Sequence, residues 1–156
     1  MDTGCPPAIA ATRRQGTTSG RYVTPSEEAR NHARLAISRI LRGDADVDVS
    51  AFGYEIVPLA ESNDLILLRE KADHKRGGGA YVVRKGGSSS LVVQAPHTFF
   101  DAGTLPLAWE LFQRAKARAL FINTAHRYKS ATPLPDGTHP SDVAHATDSQ
   151  IGRAHV

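Results

Sequence analysis

The amino-acid sequence predicts an α/β fold, with a three-layer mixed sheet that combines an antiparallel N-terminal hairpin and a parallel β-α-β core. Two observations support this prediction. The apolar runs at 90–95 and 119–123 flank a helical pattern over 104–117, which is the order of a β-α-β unit. The strand-like runs at 64–70 and 80–84 are separated by a short glycine-rich gap, which favours an antiparallel hairpin.

The N-terminal part of the chain divides into an arm and a helix. Residues 1–23 are rich in Thr, Gly, Pro and Ala and show no apolar periodicity, so we expect a disordered arm. The sequence TPSE at 24–27 is a helix-start signal, and apolar residues then recur at helical spacing until Gly43. We therefore expect a helix over 25–41, at the beginning of a single α/β domain that spans 24–149.

The next elements form the predicted hairpin. The run at 54–59 is a strand whose Pro58 favours an edge position, because proline cannot donate to a sheet ladder. The triple glycine at 77–79 lies between the runs at 64–70 and 80–84, and it suits either a phosphate-binding loop or a hairpin turn. A phosphate loop is followed by a helix start, and none follows here, so we expect a flexible turn.

The β-α-β unit comes last. The run at 90–95 is almost continuously apolar, which is typical of a strand buried on both faces. The helix over 104–117 has one apolar side, and Thr104 is placed to cap it. The run at 119–123 is a second buried strand. Proline and glycine interrupt residues 128–149, which we expect to form a loop.

Two histidines directly follow the two strands of this unit, His97 after the first and His126 after the second. Because parallel strands end at the same edge of a sheet, where open α/β sheets bind ligands, we expect both imidazoles to open into one crevice. Asp101 lies four residues after His97, a spacing that brings a carboxylate beside an imidazole in a helical turn. We therefore predict a metal site formed by His97, Asp101 and His126. His145, in a later polar cluster, is an alternative third ligand.

Three further residues are placed to bind substrate. Thr104 opens a helix whose first N–H groups favour an anionic group. Arg127 adjoins His126 and can pair with a carboxylate. Asp142 belongs to the later polar cluster, for which an ordinary polar loop is the alternative. His139 lies in the same loop, and we expect it to be solvated.

The segment 92–104, with the sequence VVQAPHTFFDAGT, resembles the first metal-binding segment of zinc hydrolases of the carboxypeptidase-like superfamily. That superfamily includes the zinc carboxypeptidases, the N-formylglutamate amidohydrolases and the poly-γ-glutamate hydrolases. The shared features are a buried strand, a histidine, an acidic residue a few positions later and, in some members, a Gly-Thr pair that opens a helix. The resemblance implies that His97 and Asp101 are the first two zinc ligands. The segment departs from the zinc carboxypeptidases in its acidic residue, which is Asp where they have Glu one position earlier.

The expected function is zinc-dependent hydrolysis of an amide or peptide bond near a carboxylate, on a small peptide-like or acyl-amino-acid substrate. One zinc ion would polarise the carbonyl and lower the pKa of its bound water toward ~7. The pattern identifies no catalytic base. Two alternatives stay open: a metal-free phosphoesterase that uses His97 and His126 as acid and base, and a non-catalytic binding domain or inactive fragment.

Composition narrows the possible partners. The net charge is +3, the basic residues are scattered and only 6% of residues are aromatic, so we do not expect nucleic-acid binding. No apolar run reaches the roughly 18 residues that span a bilayer, so we expect no membrane partner and a cytoplasmic location. Cys5 is the single cysteine, which excludes a disulfide framework and a cysteine-rich zinc site.

The C-terminal residues IGRAHV can be encoded by ATC GGA AGA GCA CAC GTC, the start of a widely used sequencing adapter. We therefore expect residues 150–156 to be a non-native tail and the domain to lack its last strands. An ordinary short polar tail is the alternative.

Overall fold

The described part of the chain contains all the predicted elements in the predicted order, together with one helix that was not expected. The structure is a computed structural model, and the residues it describes are 4–18, 22–44, 46–60, 62–86, 89–99, 101, 103–128, 130 and 132–142. Its helices are α1 (Pro7–Thr18), α2 (Glu27–Leu41) and α3 (Thr104–Arg114). Its strands are β1 (Tyr54–Pro58), β2 (Leu65–Glu70), β3 (Ala80–Arg84), β4 (Val92–Ala95) and β5 (Ala119–Ile122).

The five strands form one mixed sheet in the order β1-β2-β3-β5-β4. The pairs β1–β2, β2–β3 and β3–β5 are antiparallel, whereas β4 and β5 are parallel and joined by α3. This arrangement confirms the predicted α/β class, the antiparallel hairpin and the parallel β-α-β unit. The edge position predicted for the strand that contains Pro58 is also confirmed.

Alternating side chains along the strands create two apolar faces. One face packs against α1 and α3, and the other packs against α2, which gives three layers. The period of two is visible in β2 and β3, because neighbouring residues of each strand point to opposite layers. The first core includes Ile9, Leu65, Leu67, Ala80, Val82, Trp109 and Phe112, and the second includes Ala36, Ile40, Ile66, Leu68, Tyr81 and Val83.

Strand β4 differs from its prediction. It lies at the edge of the sheet, and Val92 is 45% exposed while Ala95 is fully buried. The expectation that it is buried on both faces is therefore wrong for its first half. A continuous apolar run in a short strand does not show whether the strand has a neighbouring strand on both sides or lies at the edge of the sheet.

Helix α1 occupies residues that were expected to be a disordered arm. Ile9 is 0% exposed in the first core, and Thr12 is buried with its hydroxyl donating to the carbonyl of Ala8 at 2.8 Å. Near its C-terminal end, Gly16 lies so close to Thr124 that a Cβ atom would overlap the Thr124 carbonyl oxygen. The helix thus docks through one large aliphatic residue and several small ones, a pattern without a visible apolar stripe.

The capping residues of two helices differ from the predicted ones. Ser26, and not Thr24, caps α2, since its hydroxyl accepts a hydrogen bond from the backbone N–H of Ala29 at 3.1 Å. Gly103, and not Thr104, is the N-cap of α3, with a φ of 92° that favours glycine. Because glycine has no side chain, no side-chain hydrogen bond caps α3.

No helix among the described residues is long and apolar enough to cross a bilayer. The expected non-native tail at 150–156 lies outside the described residues, as does His145.

Candidate functional site

One edge of the sheet gathers the ends of four strands. Strands β4 and β5 are parallel and in register, with Ala95 opposite Ile122, so both end there. Strand β2 ends and β3 begins at the same edge, because β3 runs antiparallel to β5 and pairs Ala80 with Ile122. The residues that follow β4 and β5 and the glycine-rich loop therefore lie at the same end of the sheet.

Asn123 fastens together the two loops that leave β4 and β5. It is 3% exposed, and its side-chain amide donates to the carbonyls of Pro96 at 2.7 Å and Ala125 at 2.8 Å. Its side-chain oxygen accepts from the Ala125 N–H at 2.9 Å. The hydroxyl of Thr98 closes the connection by donating to the Asn123 carbonyl at 2.7 Å. These bonds hold the segment around His97 against the end of β5.

His97 contacts Arg127, the residue after the predicted partner. The Arg127 Nη2 atom lies 2.7 Å from His97 Nδ1. A guanidinium group can only donate, so Nδ1 must accept and the ring proton lies on Nε2. Both side chains are half-buried. The structure thus pairs an imidazole with a fixed cation at the predicted edge of the sheet.

The other predicted metal ligands have different surroundings. His126 Nδ1 accepts from the backbone N–H of Tyr128 at 3.2 Å, which also leaves the His126 ring proton on Nε2. The Asp101 N–H donates to the His97 carbonyl at 3.1 Å, so the predicted turn is present, but the Asp101 residue is exposed. Within the described ranges, no three His, Cys, Asp or Glu residues are arranged to hold a metal ion. The zinc site stays a prediction.

Thr104 and Asp142 are the two remaining residues that were predicted to bind substrate. Thr104 is the first residue of α3, and its N–H donates to the Asp101 carbonyl at 3.2 Å. Asp142 is half-buried, and its N–H donates to the His139 carbonyl at 2.8 Å.

Helix α1 brings a further cation to the loop after β4. The guanidinium carbon of Arg13 lies 5.6 Å from the centre of the Phe99 ring, which is cation–π geometry. Phe99 follows His97 by two residues. The sequence carried no signal for this contact, because Arg13 belongs to a segment without apolar periodicity.

A hydroxyl–imidazole cluster was also missed. Ser130 Oγ lies 3.1 Å from His139 Nδ1, and Ser141 Oγ lies 3.3 Å from Ser130 Oγ. His139 was expected to be solvated, but it is half-buried and its ring packs edge-on against Tyr128. The serines are separated by a proline-rich loop, so their meeting depends on how that loop folds back.

Backbone N–H groups of the glycine-rich turn surround an internal carboxylate. Glu70 is 6% exposed and accepts from the N–H groups of Arg76, Gly77 and Gly78 at 3.0–3.1 Å. Burial raises the pKa of Glu70 from its usual 4.5, against the opposing effect of these three donors. The turn is therefore an anion-binding loop, and its anion is supplied by the protein.

Neither protein-family models nor curated proteins nor solved structures match the chain. The likeness to carboxypeptidase-like zinc hydrolases thus depends on the segment 92–104 alone.

Proposed function

We propose that this domain is a hydrolase for phosphate esters and that it binds the phosphate group through Arg127 and His97. The observation that carries the proposal is the 2.7 Å contact between Arg127 Nη2 and His97 Nδ1. It sets a guanidinium group beside an imidazole N–H donor at the end of two parallel strands, where open α/β sheets bind ligands.

The charge and the donors of this edge suit an anion. Arg127 supplies a charge-assisted donor, and His97 supplies its Nε2–H. Helix α3 starts in the loop after His97, and a helix start favours negative charge. Arg13 lies on Phe99 in the same loop. The acidic residue of this loop, Asp101, is exposed.

The tautomers favour donor roles for both histidines. The hydrogen bonds at Nδ1 leave His97 and His126 each with a proton on Nε2. A neutral imidazole in this state can donate a hydrogen bond to a phosphate oxygen, but loss of its one ring proton would leave an imidazolate, so it is a binding group and not a general acid. It cannot accept a proton at the same atom, so the base comes from another group.

Zinc-dependent amide hydrolysis is the second candidate, favoured by the turn that joins Asp101 to His97. In the described arrangement, His97 Nδ1 already accepts from Arg127, and Nε2 must lose its proton to bind a metal. These residues do not fit a zinc site as they stand.

Phosphate binding tests the first candidate. Titration with inorganic phosphate, followed by NMR chemical shifts, should show binding that weakens by about 10- to 100-fold in Arg127→Gln, because a charge-assisted hydrogen bond contributes about 1.5–3 kcal/mol. Arg114→Gln is the matched control, since the Arg114 side chain is 78% exposed on α3. Equal binding by both variants would contradict the proposal.

Metal analysis separates the two candidates. Hydrolysis of p-nitrophenyl phosphate that survives EDTA supports the metal-free phosphoesterase. Stoichiometric zinc that is lost in both His97→Ala and Asp101→Ala, together with activity that EDTA abolishes, would support the zinc hydrolase instead.

A further inference from the structure

We propose that Ser130 and His139 are a nucleophile–base pair and that Ser130 attacks the phosphorus atom of the ester. The inference rests on the proposed function for the class of substrate. It supplies the base that the tautomers of His97 and His126 leave unassigned.

The hydrogen-bond geometry indicates where the Ser130 proton points. Ser141 Oγ donates to the carbonyl of Arg127 at 2.5 Å and accepts from the Ser130 N–H at 3.1 Å. Ser141 Oγ is also the donor in a longer contact with Ser130 Oγ at 3.3 Å. The Ser130 hydroxyl proton therefore does not point to Ser141, and its acceptor is His139 Nδ1 at 3.1 Å, in the tautomer with the ring proton on Nε2. A serine hydroxyl that donates to an imidazole nitrogen is the arrangement that activates a serine.

Burial divides the two serines into different roles. Ser141 is 0% exposed, and its bonds to Arg127 and to the Ser130 N–H are sufficient to close the loop. Ser130 and His139 are half-buried, so a substrate can reach them. The hydroxyl group of Ser130 is therefore not required to hold its loop in place.

Contacts with Tyr128 and Asp142 orient His139, and a bond to Arg127 connects the pair to the residues after β5. The Tyr128 ring packs edge-on against His139, with centroids 5.4 Å apart, and lies 5.7 Å from the His126 ring. The N–H of Asp142 donates to the His139 carbonyl at 2.8 Å. Since Ser141 binds the Arg127 carbonyl, it ties the pair to the backbone of the residue that we propose as the phosphate ligand.

The reaction then has two balanced steps. Ser130 Oγ attacks phosphorus while its proton passes to His139 Nδ1, and the bond from phosphorus to the leaving oxygen breaks. The leaving alkoxide takes a proton from a water molecule. The resulting hydroxide then attacks the phosphoserine, and the His139 imidazolium returns its proton to Ser130 Oγ as inorganic phosphate leaves.

Trapping the intermediate tests the pair. The wild-type chain is incubated with p-nitrophenyl phosphate and quenched in acid, and the peptides are analysed by mass spectrometry. We expect one added phosphoryl group on the peptide that contains Ser130. Ser130→Ala should abolish the adduct and turnover. Ser50→Ala is the matched control, because Ser50 is an exposed serine bonded to Asp48 at 2.6 Å on another loop.

The base is tested by a variant that keeps the hydrogen bond. In His139→Gln, the amide oxygen can still accept from Ser130 but cannot take its proton. Turnover should fall by about 100-fold or more, the usual contribution of a general base, while the thermal unfolding midpoint stays unchanged. A purely structural role for His139 predicts the reverse, with the midpoint lowered or turnover unchanged.

The possible failures are distinguishable. If Ser130→Ala retains turnover, the nucleophile is wrong and the proposed function stands. If phosphate does not bind and the ester is not hydrolysed, the proposed function fails, and a fluorophosphonate probe then tests the serine by itself. Labelling of Ser130 that is lost in His139→Gln supports the pair with another substrate, whereas an unlabelled Ser130 overturns it.

Discussion

Replacing Gly16 by alanine should destabilise the protein, although the same change in an exposed helix stabilises it. Gly16 lies inside α1 with its Cα against Thr124. An added Cβ would overlap the Thr124 carbonyl oxygen and come within 3.0 Å of the Thr124 Cβ. The overlapped atom belongs to the backbone at the end of β5, so no side-chain rotation can relieve the contact.

The magnitude follows from what α1 loses when it shifts. Alanine improves helix propensity by about 1 kcal/mol relative to glycine. Against this, displacement of α1 exposes Ile9, whose burial contributes about 1.5–3 kcal/mol. It also removes the contact of Arg13 with Phe99, which contributes about 0.5–1 kcal/mol. The net expectation is a loss of about 1–3 kcal/mol.

Urea unfolding followed by circular dichroism measures this loss as a lower midpoint at an unchanged slope. Gln15→Ala is the neighbouring control, because Gln15 is exposed on the same helix and its replacement should change stability far less. If Gly16→Ala were as stable as the wild type or more stable, the docking of α1 on the end of β5 would be refuted.

Two further predictions concern buried polar groups near the same edge. Asn123→Ala should lower the free energy of unfolding by about 2 kcal/mol, measured by urea unfolding, because the half-buried carbonyl of Pro96 and the buried carbonyl of Ala125 lose their donor. A neutral effect would contradict the role of Asn123 in joining the loops. For Glu70, burial favours the protonated folded state, so its contribution to stability is present below pH 4.5 and is lost as the pH rises through the raised pKa. The free energy of unfolding of the wild type minus that of Glu70→Gln should therefore decrease with increasing pH, and a difference that rises with pH would contradict this sign.

The elements that the sequence predicted best carry their own periodic pattern. The apolar side of α3 and the runs that became β4 and β5 predict a β-α-β unit without knowledge of the rest of the chain. Helix α1 has no such pattern, because a single isoleucine and a few small residues make its contacts. Its position depends on the shape of the sheet edge, which is tertiary information.

The candidate site was predicted in outline and differs in detail. The topology argument brought the residues after β4 and β5 to one edge, but it paired His97 with His126, and the structure has Arg127 at His97. Consecutive side chains after the end of a strand point in different directions. For this reason Arg127, one residue after His126, is the residue that contacts His97. The contact between Ser130 and His139 was not predictable, because a loop of proline and glycine brings the two residues together.

The carboxylate of Glu70 gives the glycine-rich turn a resident counter-ion. Backbone amides that face a shared point attract any anion small enough to enter, and this turn lies at the same end of the sheet as Arg127. Since the turn is already satisfied from within, a soluble phosphate gains little by competing for it. The internal acid thus leaves Arg127, and not this turn, as the donor at this end of the sheet for the phosphate group that we propose.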